Sequence, residues 1–84
     1  MESEIRILGV FVKNRTRNIL KVQDTFTKFG CSIRTRLGIN VSQDYKQDDA
    51  GLILLELTGD VNEMEKLENA LKAQNDVEVK KMIF

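Results

Sequence analysis

Two arginines flanked by an amide and a hydroxyl, Asn14-Arg15-Thr16-Arg17, stand where a segment of strand pattern hands over to one of helix pattern. The first N–H groups of a helix have no intrahelical partners and sit at the positive end of its dipole. Guanidinium groups added there favour a carboxylate or phosphate ligand. A capped, solvated turn is the alternative reading of these four residues. Arg34 and Arg36 occupy alternate positions of a later segment. On a strand they project from one face, suited to a bidentate anion clamp across a subunit interface or to ion pairs with a neighbouring subunit. Asn14, Arg15, Thr16, Arg17, Arg34 and Arg36 are the candidate effector-binding residues.

Other chemistry is poorly represented. The chain has no histidine, which removes the commonest metal ligand, general base and near-neutral pH switch together, and it has no tryptophan. No catalytic residue, metal ligand set or cofactor site is assigned. Cys31 has no second cysteine and no histidine to activate it, and its parity predicts burial as a small hydrophobe. Asp44, Asp48 and Asp49 share one segment without the ligand spacing and turn glycine of a calcium loop, so they read as a solvated acidic loop. Phe11, Phe26, Phe29 and Phe84 are spaced as core or interface residues, not as a base-stacking platform.

These groups must be carried by secondary structure, and the apolar pattern is explicit. Residues 51–58, GLILLELT, place Leu52 and Leu54 on one face and Ile53, Leu55 and Leu57 on the other, the pattern of a central strand buried on both sides. Residues 4–13 repeat it, with Ile5, Ile7 and Phe11 opposed to Leu8, Val10 and Val12. Residues 31–41 alternate Cys31, Ile33, Leu37 and Ile39 against Ser32, Arg34, Arg36 and Asn40, which predicts an edge strand. Residues 77–84 predict a second edge. Ile19, Val22, Phe26 and Phe29, with Leu20 alongside, line a helix that Asn14 or Thr16 caps and Gly30 ends. Val61, Met64, Leu67 and Leu71 line another, opened by an Asp60/Glu63 capping box and exposing Glu65, Lys66, Glu68, Asn69 and Lys72. Glu68 and Lys72 have the favourable order for a helical ion pair. Residues 42–50 form a polar hairpin loop.

The resulting order is βαββαβ. With the first and third strands central, the predicted fold is a ferredoxin-like α+β sheet of spatial order 4-1-3-2 with both helices on one face, in a single domain spanning the chain. Two helices cover only one side of such a sheet, so the other side of the central strands leaves an exposed apolar band. That predicts a homodimer or homotetramer, with the polar loop or the C-terminal Met82-Ile83-Phe84 folding over the band as the alternative. A chain of 84 residues buries only about 60 to 65% of its unfolded surface, and no disulfide supplements its core. Equal counts of 13 basic and 13 acidic residues argue against direct nucleic-acid binding. A lone cysteine and the lack of a signal-like or membrane-spanning apolar run predict a cytoplasmic setting.

The segments GVFVKNR at 9–15 and KFGCSI at 28–33 resemble the ACT domain family, small regulatory domains that pair through their sheets and bind effectors at subunit interfaces. Arg36-Leu37-Gly38-Ile39, residues 51–57 and LKAQNDVEVK at 71–80 extend the resemblance to the ACT-like regulators associated with the iron-only hydrogenase system. Thr16-Arg17 replaces the Pro-Gly or Ala-Gly pair common in the first ACT loop, and Asn40 stands where the hydrogenase-associated group often has proline. The resemblance implies a non-enzymatic regulator and oligomerisation module that senses a small anionic ligand. A ligand-free homo-oligomeric assembly or protein-interaction domain is the alternative.

Overall fold

The structure is a computed structural model describing residues 4–39 and 49–84. Most of the expected hairpin loop, including Asp44 and Asp48, lies outside the described residues, as do Asn40 and Val41. The elements are β1 (Arg6–Lys13), α1 (Arg15–Lys28), β2 (Ile33–Ile39), β3 (Ala50–Leu57), α2 (Val61–Lys72) and β4 (Val77–Ile83), with a short 3-10 turn at Gly30–Ser32. The four strands form one antiparallel sheet in the order β2-β3-β1-β4. The ferredoxin-like arrangement expected from two-sided apolar strands is the one observed.

The core lies between the sheet and the helices. Leu8, Val10 and Val12 of β1 and Leu55 and Leu57 of β3 pack against Val22 and Phe26 of α1 and Met64, Leu67 and Leu71 of α2, all buried. Each fully buried aliphatic side chain contributes on the order of 1.5 to 3 kcal/mol. Leu20 falls outside the stripe of α1 and Val61 sits at the first turn of α2, where the helix has not yet reached the sheet; both are exposed. The opposite sheet face carries Ile7 and Phe11 of β1, Leu52 and Leu54 of β3, Leu37 and Ile39 of β2, and Met82 of β4. The C-terminus does not fold over it: Met82 and Ile83 belong to β4, and Phe84 exchanges backbone hydrogen bonds with Ile5 at 3.2 and 2.8 Å while 72% exposed.

A β-bulge overturns the simple alternation expected of β2. Ile33 pairs with Leu57, but Thr35 pairs with the next residue back, Glu56, leaving Arg34 as the extra residue. Every later side chain of β2 therefore changes face. Ile33 packs on the core, whereas Leu37 and Ile39 pair with Leu54 and Leu52 on the open face. Cys31 is also displaced from its expected place. It belongs to the 3-10 turn, not to β2, and is exposed. Gly30 is not in the left-handed region, since the helix tightens through Phe29 into that turn. Positive φ falls instead on Gly59, at 88°, where β3 turns into α2.

At α2, Asp60 accepts a hydrogen bond from the Asn62 N–H at 2.8 Å, but Glu63 turns to the Lys66 ammonium at 3.0 Å in place of the reciprocal capping bond. Glu68, expected on the exposed face, is buried. Its carboxylate receives Lys72 at 2.7 Å and Lys81 of β4 at 3.1 Å, so it joins α2 to the edge of the sheet. Burial alone pushes the Glu68 carboxyl up. The hydrogen bonds and charges of Lys72 and Lys81 outweigh it and hold the group below its ordinary value of 4.5.

Candidate functional site

The first turn of α1 meets the sheet beside the start of β3, and two absent side chains open a groove there. Gly51 lacks the Cβ that would approach Arg15 Cδ at 2.9 Å, so the Arg15 stem lies directly across β3. Gly38 of β2 leaves the neighbouring position empty. Between them is a groove of about 550 Å³, walled by Ile19 and Gln23 of α1 and lined by Arg15, Arg36 and Ile53. Its size falls within the range of small-molecule sites, about 300 to 1,000 Å³. Arg36 stands on the helix-side face because the bulge has turned it there, and its guanidinium lies 5.2 Å over the Phe26 ring. Among the described residues neither Arg15 nor Arg36 makes an ion pair.

The start of α1 is capped by a carboxylate from the chain itself. Asp49 accepts from the Thr16 N–H at 3.1 Å and from the Thr16 hydroxyl at 3.0 Å, and its backbone carbonyl accepts from the Arg15 N–H at 3.0 Å. Thus the N–H groups expected to receive an anion already face one. Asn14 occupies the N-cap position in a left-handed conformation, φ 49°, with no side-chain capping bond. Its amide instead donates to Asp76 at 3.1 Å, and Asn18 donates to the same oxygen at 3.2 Å. Asp76 is itself left-handed, φ 65°, and its carbonyl accepts from the Lys13 N–H at 2.8 Å. The two corners are thereby stapled together. Hydrogen bonds from Asn14 and Asn18 hold the Asp76 carboxyl below its ordinary range.

The six candidate residues therefore divide. Arg15 and Arg36 converge on the groove, while Asn14 and Thr16 are engaged by Asp76 and Asp49. Arg17 lines a second, smaller hollow of about 390 Å³ with Lys21, Gln74 and Asp76. Arg34 reaches Glu56 at 3.9 Å, away from Arg36. The expected Arg34/Arg36 clamp does not form within one subunit, because the inserted residue of the bulge separates their directions. Asp49, Gly51 and Gly38 were not candidates for this site by sequence. Asp49 meets Thr16 from 33 residues away, and no local pattern announces a cap of that range. Among the described residues no group of three His, Cys, Asp or Glu side chains could hold a metal ion.

No family model and no curated protein matches the chain. Solved structures do. An uncharacterized protein from Thermotoga maritima superposes with a TM-score of 0.81 at 23% identity, covering 98% of this chain and 99% of that one. A nitrogen regulatory PII-like protein, CPII from Thiomonas intermedia K12, has been solved bound to ADP, AMP and acetate. In that form it superposes with a TM-score of 0.61 at 11% identity, over 96% of this chain and 86% of that one. Prephenate dehydratase from Streptococcus mutans has a TM-score of 0.59 at 12% identity, over 99% of this chain and 43% of that one. The fold is ferredoxin-like. At these identities the likeness is one of fold. No helix among the described residues is long and apolar enough to cross a membrane.

Proposed function

We propose that this protein is a non-enzymatic, cytoplasmic regulatory module that takes a small anionic ligand in the groove between α1 and β2, and that works as a homo-oligomer. One observation carries the reading: α1 and β2 bring Arg15 and Arg36 to a single groove floored by glycines. Arg15 would meet a carboxylate or phosphate at the mouth, and Arg36, braced on Phe26, would meet it from the strand. Asn14 and Thr16 frame the helix end. Arg17 and Arg34 lie outside the groove of one protomer and would contribute where a subunit boundary passes. Ligand binding regulates by preferring one of two assembly or partner-binding states. The resemblance to regulators associated with the iron-only hydrogenase system is the finer form of this reading. The open apolar sheet face favours, as a second reading, an assembly domain without a ligand.

A thermal-shift titration with ADP, AMP, acetate and free amino acids tests the first reading. An anion bound only by the folded state raises the midpoint with concentration. The rise is expected in the parent and not in the Arg15→Gln/Arg36→Gln double variant. Equal shifts in both proteins, or no shift with any of these probes, would overturn it.

A further inference from the structure

We infer that β2 has two registers on β3: the bulged one of this structure opens the groove, and a regular one closes it with the strand's own side chains. This deepens the reading above by naming how the anion site is regulated, and that part rests on it. A strand's register is firmly set where one face is buried and weakly set where neither is. Beyond Ile33 every residue of β2 is exposed, Leu37 at 54% and Ile39 at 38%, while its groove side is left with Arg36 and Gly38. If Arg34 takes the place opposite Glu56, each later residue moves by one partner along β3. Leu37 then stands opposite Ile53 and Ile39 opposite Gly51. Ile53 packs on the core and Gly51 lies under the Arg15 stem, so both aliphatic side chains enter the groove. Arg36 leaves it for the open face.

Each register has its own anchors. In the bulged one the Thr35 hydroxyl donates to the Glu56 carboxylate at 2.8 Å, and Arg36 lies 5.2 Å over the Phe26 ring. The regular one sets Arg34 directly opposite Glu56, which it now approaches only to 3.9 Å, and leaves no inserted residue unpaired. It also covers two exposed aliphatic side chains in a groove of about 550 Å³. Residues 40–49 link Ile39 to Ala50, and a connection of that length takes up one residue at little cost. An anion held by Arg36 needs the bulged register, so its binding opposes closure. The strand's own Leu37 and Ile39 compete with the anion for the groove.

Disulfide trapping on the full chain reads the register without any ligand. Facing residues of an antiparallel pair have Cα atoms about 4.5 to 5.5 Å apart, within the span of a disulfide. With Cys31→Ser throughout, Leu37→Cys/Leu54→Cys closes in the bulged register. Leu37→Cys/Ile53→Cys closes only in the regular one, since Leu37 and Ile53 now stand on opposite faces of the sheet. Both pairs are expected to close under mild oxidation, the second about ten- to a thousandfold more slowly, as for a minor state of roughly 0.1 to 10%. Deletion of Arg34 leaves Arg36 facing the groove in an unbroken ladder, so closure of the Leu37/Ile53 pair falls about tenfold or more while the Leu37/Leu54 pair still closes. Ile39→Lys, which would set a cation beside Arg15 in the regular register, has the same effect and decides the matter if the deletion does not fold. Circular dichroism and a cooperative melt verify folding of each variant. Failure of the Leu37/Ile53 pair to close while the Leu37/Leu54 pair does overturns the proposal, as does equal closure with and without Arg34, which local opening alone would give. An anion that raises the melting midpoint in the titration above should slow the Leu37/Ile53 closure, and undiminished closure in its presence overturns the coupling. A titration in which no anion responds fails the ligand reading alone, because the two registers are read without one.

Discussion

Replacing Glu68 by glutamine keeps the side-chain volume and removes the charge that holds two lysines. The carboxylate is 6% exposed and receives bonds at 2.7 and 3.1 Å, whereas Lys72 and Lys81 are 52% and 36% exposed and regain water when released. Hydrogen bonds to charged groups contribute about 1.5 to 3 kcal/mol, and breaking a fully buried pair costs about 3 to 5 kcal/mol. The lysines' exposure places the loss at the lower end, about 2 kcal/mol. For 84 residues the unfolding entropy is about 0.18 kcal/mol/K, so Tm falls by roughly 11 °C. Since the folded carboxyl lies below its ordinary 4.5, its contribution is complete above that value and is lost as pH falls through the folded value. Urea titrations of parent and Glu68→Gln should therefore differ at pH 7 and converge in acid. The exposed Glu63–Lys66 pair supplies the contrast, with Glu63→Gln leaving Tm unmoved. A Glu68→Gln variant as stable as the parent at neutral pH, or a difference that persists undiminished in strong acid, would refute the reasoning.

Three other outcomes are expected. Asp49→Ala removes the cap of α1 and lowers stability by about 1 kcal/mol in chemical denaturation, and Asp49→Asn loses less because an amide oxygen still accepts from Thr16. Leu55→Ala, at a side chain with no exposure between sheet and helices, costs about 3 kcal/mol, measured as a shift of the urea midpoint at constant slope. Native Cys31 is exposed on its turn, so an aromatic disulfide reagent should modify one thiol per chain without denaturant, at a rate close to that of the unfolded protein.

The fold and the site were unequally legible. Strand and helix periods are local properties, so the apolar residues on both faces of residues 4–13 and 51–58 are enough to place β1 and β3 in the sheet interior. The same local character explains the misplacement of Arg36. One inserted residue at Arg34 reverses the parity of everything after it, and the pairing of β2 with β3, not the composition of β2, decides whether a residue is inserted.

By itself, then, the order of residues determined which segments are strands or helices, which strands are interior, and that two helices cover only one face of the sheet. Only the tertiary structure decided that Asp49 caps α1, that Glu68 is buried between two lysines, and that Arg15 folds across Gly51 toward the groove it shares with Arg36. These last depend on side chains from distant segments meeting at one point. A periodicity of two or 3.6 residues carries information along the chain but none about which distant residue stands opposite.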